Sequence, residues 1–395
     1  MKHILFTLLL SGLSSITMGQ HSFVLEGKIE GKKANGQVIK LLGDNGEHTI
    51  GTTVIKNNKF RIKGNIEVPE HVRIVVAPTK DAEQKTWKAS TFYLDAGKIT
   101  LSGHIDSLPT YYYRPDLPNI RPTIEGSQAQ NMADQLDRSI QEERKAVRQL
   151  DEAYMKEYHL PSLDGKFNTE RGVALLQEMA PYQEHIFQKK WAFIKNNPTA
   201  KVSLDQAELM LLGYGDKGLN KVQIEELVDI FSPYWKGKKV FSKFLETVSK
   251  AKATAIGSKI IDGPILDRDG NKVQLTSVFP KGKKYILLEF WASWCGPCRG
   301  EIPHLVNTMS HWKDKGFDII SISLDEKESD WKKAMEEENM NWHQYNAREG
   351  FKSQIAQSYN IQGIPYALLI DAEGTIIKHG MRGANLEVAL EELIK

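Results

Sequence analysis

Apolar and polar positions follow a period of two over the first third of the chain. Phe23-Val24-Leu25-Glu26-Gly27-Lys28-Ile29 opens the pattern, and Lys59-Phe60-Arg61-Ile62-Lys63 alternates strictly after an Asn57-Asn58 turn. Val72-Arg73-Ile74-Val75-Val76 and Lys98-Ile99-Thr100-Leu101 follow, each bounded by Pro, Gly or Asp. Short runs of this kind with turn residues between them predict an all-β, sandwich-like domain over residues 20–126. The period then changes. Met132, Leu136, Ile140, Val147, Leu150 and Tyr154 recur at spacings of four, four, seven, three and four, which predicts a helix with one apolar face and Ser127 as its N-cap. A second helix is expected over Thr169–Lys195, kinked or split by Pro181 and ended by Asn196-Asn197-Pro198. Shorter helices near 203–212, 221–231 and 239–252 complete a helical domain, residues 127–255.

From residue 256 to 395 the two periods alternate. A hairpin is expected over Ile265–Val273. Strands follow at Tyr285–Trp291, Phe317–Leu324 and Ile364–Ile370, the last turning through Asp371-Ala372-Glu373-Gly374 into Thr375-Ile376-Ile377. Helices fall after Cys295, at Asp330–Glu338 and at Leu386–Ile394. Strands and helices in this order predict a mixed sheet with helices on both faces, an α/β domain.

Composition narrows the function classes. Of 395 residues, 52 are Lys or Arg and 50 are Asp or Glu, a net charge of +2 that gives no footprint for nucleic acid. Lys2, the ten-residue apolar run Ile4–Leu13 and the small residues up to Gly19 have the layout of a secretory signal peptide, residues 1–19. That run is too short for a membrane span, which needs about twenty residues, so no stable insertion is expected after cleavage. Export places the protein in the periplasm or cell envelope, an oxidising compartment. The chain nevertheless has only two cysteines, Cys295 and Cys298, placed three apart. Chance gives that spacing about once in two hundred, so a redox pair is the better explanation.

The chemistry of the pair follows from its place. Cys295 comes after an apolar strand, where a helix begins, and unpaired N–H groups and the helix dipole favour a thiolate there. Cys298, one turn on, can attack a mixed disulfide formed at Cys295. Gly296 leaves room for a substrate, and Pro297 suits the first turn of a helix. Half of a zinc site is the rival reading; it lacks a second pair, and His304 and His311 stand at the wrong spacing. Glu289, six residues before Cys295 within the strand, is either a buried acid with a raised pKa that exchanges a proton with the resolving thiol, or an edge residue facing water. Pro365, at the start of a strand, fits a cis bond that would leave backbone groups free to pair with a peptide. Tyr111-Tyr112-Tyr113 reads as interface packing or as a sugar or peptide site.

Phe290-Trp291-Ala292-Ser293-Trp294-Cys295-Gly296-Pro297-Cys298-Arg299 resembles the active-site signature of thioredoxin-fold proteins. Pro303, Gly363-Ile364-Pro365 and Gly383 extend the resemblance over about 140 residues. The hairpin and the position of Glu289 are more similar to the secreted TlpA and ResA branch than to cytosolic thioredoxin. The resemblance implies a thioredoxin-like C-terminal domain and a role for Trp294, Ile364, Pro365 and Gly383 in shaping the substrate groove. It also implies disulfide reduction outside the cytoplasm, often in cytochrome c maturation. Where thioredoxins carry a lysine that pairs with the buried acid, this chain has Ser321. The expected function is an exported thiol-disulfide oxidoreductase acting as a reductase, with protein thiols and disulfides as substrates, no cofactor or metal, and a membrane partner that returns electrons. A disulfide oxidase or isomerase, and a binding module with an accessory redox domain, are the alternatives. A thiol peroxidase would want Thr three residues before Cys295, where Ala292 stands.

Overall fold

The computed structural model describes residues 21–43, 46, 48–213 and 218–394. The expected signal peptide, residues 1–19, lies outside them. The chain divides into two compact units, one ending at Gln135 and the other beginning at Leu136.

The described residues of the first unit form eight strands: β1 (His21–Glu30), β2 (Val38–Gly43), β3 (His48–Val54), β4 (Lys59–Ile66), β5 (Glu70–Ala77), β6 (Lys88–Leu94), β7 (Gly97–His104) and β8 (Thr123–Glu125). They form two four-stranded sheets, β4-β1-β7-β8 and β3-β2-β5-β6. Alternate residues of both, among them Phe23, Leu25, Ile39, Leu41, Ile74 and Phe92, meet in one core, as a sandwich requires. Asn57 and Asn58 both take positive φ, the conformation a tight hairpin turn demands. Of the tyrosine run, Tyr111 packs edge-on against Trp87 and accepts a hydrogen bond from Arg73, whereas Tyr112 and Tyr113 are exposed.

The unit boundary falls inside helix α1 (Gln128–Ser139). Ser127 caps it as expected, its Oγ accepting from Gln130 N at 2.9 Å. The stripe from Met132 to Tyr154 is not one helix. Ile140, fully buried, leaves helical geometry at φ −113°, ψ 10°, and α2 (Gln141–Tyr154) starts after it. α2 runs through a π-helical turn, Met155–His159, into the short α3 (Leu160–Leu163). α4 (Thr169–Asn196) passes Pro181 without splitting. Pro181 and Gln177, whose carbonyl it leaves unpaired, both face solvent, so water can satisfy that group. α5 (Lys201–Leu211), α6 (Lys221–Trp235) and α7 (Lys239–Ala253) follow. A capping box between Asn220 and Gln223 starts α6.

The rest of this unit is built on a seven-stranded sheet. Its strands are β9 (Pro264–Leu266), β10 (Lys272–Gln274), β11 (Tyr285–Trp291), β12 (Phe317–Ser323), β13 (His343–Asn346), β14 (Tyr366–Asp371) and β15 (Ile376–His379), in the order β10-β9-β13-β12-β11-β14-β15. β11, β12 and β13 are parallel; on the far side of β11 lies β14, antiparallel to β11, and then β15, antiparallel to β14. Helices α8 (Gly296–Trp312), α9 (Glu328–Glu337) and α11 (Ala384–Leu393) pack on one face, and α10 (Gln354–Ser358) on the other. This is a thioredoxin-like α/β fold.

Candidate active site

β11 is the central strand, and its alternation sorts its residues between the faces. Leu287 and Trp291 lie in the core that holds Cys295, Cys298, Ile302 and Leu305, and Ile286, Leu288 and Phe290 lie in the opposite core. Glu289 shares the parity of Leu287 and Trp291, so its carboxyl enters the layer between the sheet and α8. It is 2 % exposed, which settles the choice between buried acid and edge residue.

The strand delivers the chain to the start of α8. Asp325, just beyond β12, holds the connecting turn, accepting from Ser293 N at 2.9 Å and from Ser293 Oγ at 2.6 Å, with Ser323 Oγ donating at 2.7 Å. Removing that carboxylate leaves several donors buried without an acceptor. Asp325→Ala should therefore cost about 2 kcal/mol of stability, read from urea unfolding of the full chain.

Cys295 is the N-cap of α8, and its Sγ accepts from Cys298 N at 3.1 Å. The cysteines form a disulfide, with S–S 2.03 Å and Cα–Cα 5.2 Å. Cys295 retains 5 % exposure and Cys298 none, so the first cysteine is the one a partner can reach. A Cβ on Gly296 would meet nothing within 4 Å, and Pro297 occupies the first turn of the helix. Trp294 is exposed and tilts against Phe351. Across the pair stands the turn before β14. The Ile364–Pro365 bond is cis, and the Ile364 carbonyl oxygen lies 3.7 Å from Cys295 Sγ.

Burial pushes the Glu289 carboxyl up to about 7, opposed by a hydrogen bond from Ser321 Oγ at 2.7 Å and by the Arg382 charge. Ser321 sits opposite Glu289 in the β11–β12 register. Its own oxygen accepts from Trp342 Nε1 at 2.9 Å, which leaves its proton to Glu289. Glu289 Oε1 is buried with no hydrogen-bond partner among the described residues, an open position for a proton.

Gly383 differs from the expectation. It is not open as part of a groove: a Cβ there would lie 2.5 Å from Tyr154 Oη, and its N–H donates to Glu301 Oε1. The side chain of a helix distant in sequence covers it. Glu301 and Arg382 were missed altogether. Glu301 follows Cys298 by three residues, on the same buried helical face, so an acid on an apolar stripe was the available signal. Arg382 is exposed, and its guanidinium donates to the Pro365 carbonyl. His304, weighed as a zinc ligand, is buried and bonded to Ser162 and His159. Among the described residues no cluster of three or more His, Cys, Asp or Glu could hold a metal.

Residues 256–379 match the AhpC/TSA family, and residues 23–132 match a domain of unknown function, DUF4369. ResA, a thiol-disulfide oxidoreductase of Bacillus cereus, is 27% identical over 155 residues, which is 39% of this chain and 86% of that protein. The chain is a thioredoxin-fold thiol-disulfide oxidoreductase. ResA of Halalkalibacterium halodurans is 26% identical to this oxidoreductase over 161 residues, 40% of the chain and 86% of the relative. Among solved structures, the thioredoxin domain of a thiol-disulfide oxidoreductase from Bacteroides vulgatus is 39% identical, covering 36% of this chain and 99% of that one at a TM-score of 0.33. A thiol:disulfide interchange protein from Bacteroides sp. is 38% identical, covering 36% and 91% at a TM-score of 0.33. The DUF4369 match lies wholly outside the redox residues of the oxidoreductase.

Proposed function

We propose that the protein is exported to the cell envelope and reduces protein disulfides there. In the dithiol state the Cys295 thiolate attacks a substrate disulfide, forms a mixed disulfide and expels one substrate thiolate. Glu289 takes the proton of Cys298. The Cys298 thiolate then attacks the Cys295 sulfur, which releases the second substrate thiolate and closes the Cys295–Cys298 disulfide. The substrate gains two electrons, and the substrate thiolates take up protons from Glu289 and water. A membrane partner that supplies two electrons restores the dithiol. The observation that carries this reading is the asymmetry of the pair. The reachable sulfur caps a 17-residue helix, where the helix dipole favours a thiolate, and the fully buried one stands a turn behind it. Trp294, Gly296, Pro297, Ile364 and Pro365 frame the sulfur that a substrate would meet. Cytochrome c maturation is the envelope process we assign to it, on the likeness to ResA. Among the described residues no helix is long and apolar enough to cross a membrane.

Equilibration of the full chain with glutathione tests the direction. A reductase should have a potential at or below about −250 mV, and a value above about −200 mV would make the protein an oxidase or isomerase instead.

A further inference from the structure

α2 changes pitch where it meets the redox domain. The π-helical turn Met155–His159 lies against α8 and the turn before α11, and such turns gather at functional sites. Tyr158 is fully buried there, with its ring 4.9 Å from that of His304. Leu163, at the end of α3, comes within 3.7 Å of the position a Cβ on Gly300 would take. Tyr154 Oη accepts from Ala384 N at 3.1 Å and stands over Gly383, whose N–H is bound to the Glu301 carboxyl. The helical region thus closes the side of α8 that carries Glu301, three residues from the resolving cysteine.

We propose that Tyr154 is a positioning residue for disulfide exchange, sealing the Glu301 carboxyl from water within electrostatic reach of Glu289. The inference rests on the role given to Glu289 under the proposed function. The groups around Glu301 are few. Glu289 faces it from the sheet and Arg382 from the turn before α11. Tyr154 faces it from the end of α2 and Tyr158 from the π turn. Glu387 on α11 acts on Tyr158, and His304 is one turn along α8. Burial pushes Glu301 up to about 8, with the Gly383 N–H and Arg382 opposing the rise and the Glu289 charge adding to it. Burial and the neighbouring Glu289 both favour the neutral form of Glu301, and a neutral Glu301 puts no charge against the ionisation of Glu289 that receives the Cys298 proton. Opened to water, Glu301 would ionise first, and its charge would hold the proton on Glu289.

The infrared band of protonated buried carboxyl groups, followed with pH in the full chain, tests this. Glu301→Gln identifies the Glu301 component. Tyr154→Ala should lower its midpoint by about one pH unit, a tenfold loss of proton affinity, and Tyr154→Phe, which keeps the ring, should restore the wild-type midpoint. Tyr154→Gln fills the space but presents a polar amide, so it should shift the midpoint the same way and covers the case in which the alanine variant does not fold. Midpoints unchanged in the folded Ala or Gln variants would overturn the proposal. Loss of the expected role of Glu289 would show separately, as an unaltered pH dependence of exchange in Glu289→Gln.

Discussion

Cys295→Ser should abolish disulfide reduction, with a loss of at least about a thousandfold in the rate of reducing an insulin-type protein disulfide. No other thiol can take over, because the chain has only two cysteines and Cys298 is fully buried. Cys298→Ser should behave differently. Cys295 still attacks, but nothing resolves the product, so a mixed disulfide accumulates and is visible on a non-reducing gel. Together the two variants test the assignment of roles. Trapping by Cys295→Ser in place of Cys298→Ser would reverse it, and turnover by Cys295→Ser would remove the pair from the reaction.

Glu289→Gln should slow resolution of the mixed disulfide by about a hundredfold at neutral pH, the scale of a lost general base. The sign of the pH dependence follows from burial. The carboxyl ionises near 7, and only the ionised form accepts the Cys298 proton. The wild-type rate therefore rises as pH increases through about 7. In the glutamine variant that rise disappears, and rapid-mixing measurements from pH 5 to 9 would show it. The amide can still accept the Ser321 hydrogen bond, so a changed fold would not account for the loss. A variant that keeps both the rate and the rise would exclude Glu289 as the base.

Local signals carried the fold class a long way. The period-two runs became sheet strands, and the hairpins over Ile265–Val273 and Asp371–Ile377 formed because turn residues fix them within a few positions. The helical region was harder to read. Ile140 continues the apolar stripe from one helix to the next, so periodicity cannot register the break at that residue. Pro181 does not split α4, because the carbonyl it leaves unpaired faces water. The redox pair and Glu289 were legible because three consecutive facts, an apolar strand, an acid within it and a Cys-x-x-Cys after it, lie in one short stretch. Ser321 was placed by spacing, and the β11–β12 register puts it opposite Glu289. The partners of Gly383 were not legible. Tyr154 meets Ala384 across 230 positions and Ser162 meets His304 across 142, and no pattern along a single chain encodes such pairs.

The buried groups of the redox layer also set how acidity acts on the fold. Glu289 and Glu301 bind protons more tightly in the native state, near 7 and 8, than in an unfolded chain, near 4.5. The stability they contribute is full below about 4.5 and is lost as pH rises through those native values. His304 works in the other direction. Burial and the neighbouring His159 lower it from 6.5 to about 4, so the unfolded chain takes up a proton the native one refuses, and stability falls as pH drops across that interval. These three side chains draw the best-folded condition toward weak acid, while proton transfer at Glu289 is fastest above neutrality. Wherever this redox layer operates at full speed, it does so with its folding reserve partly spent.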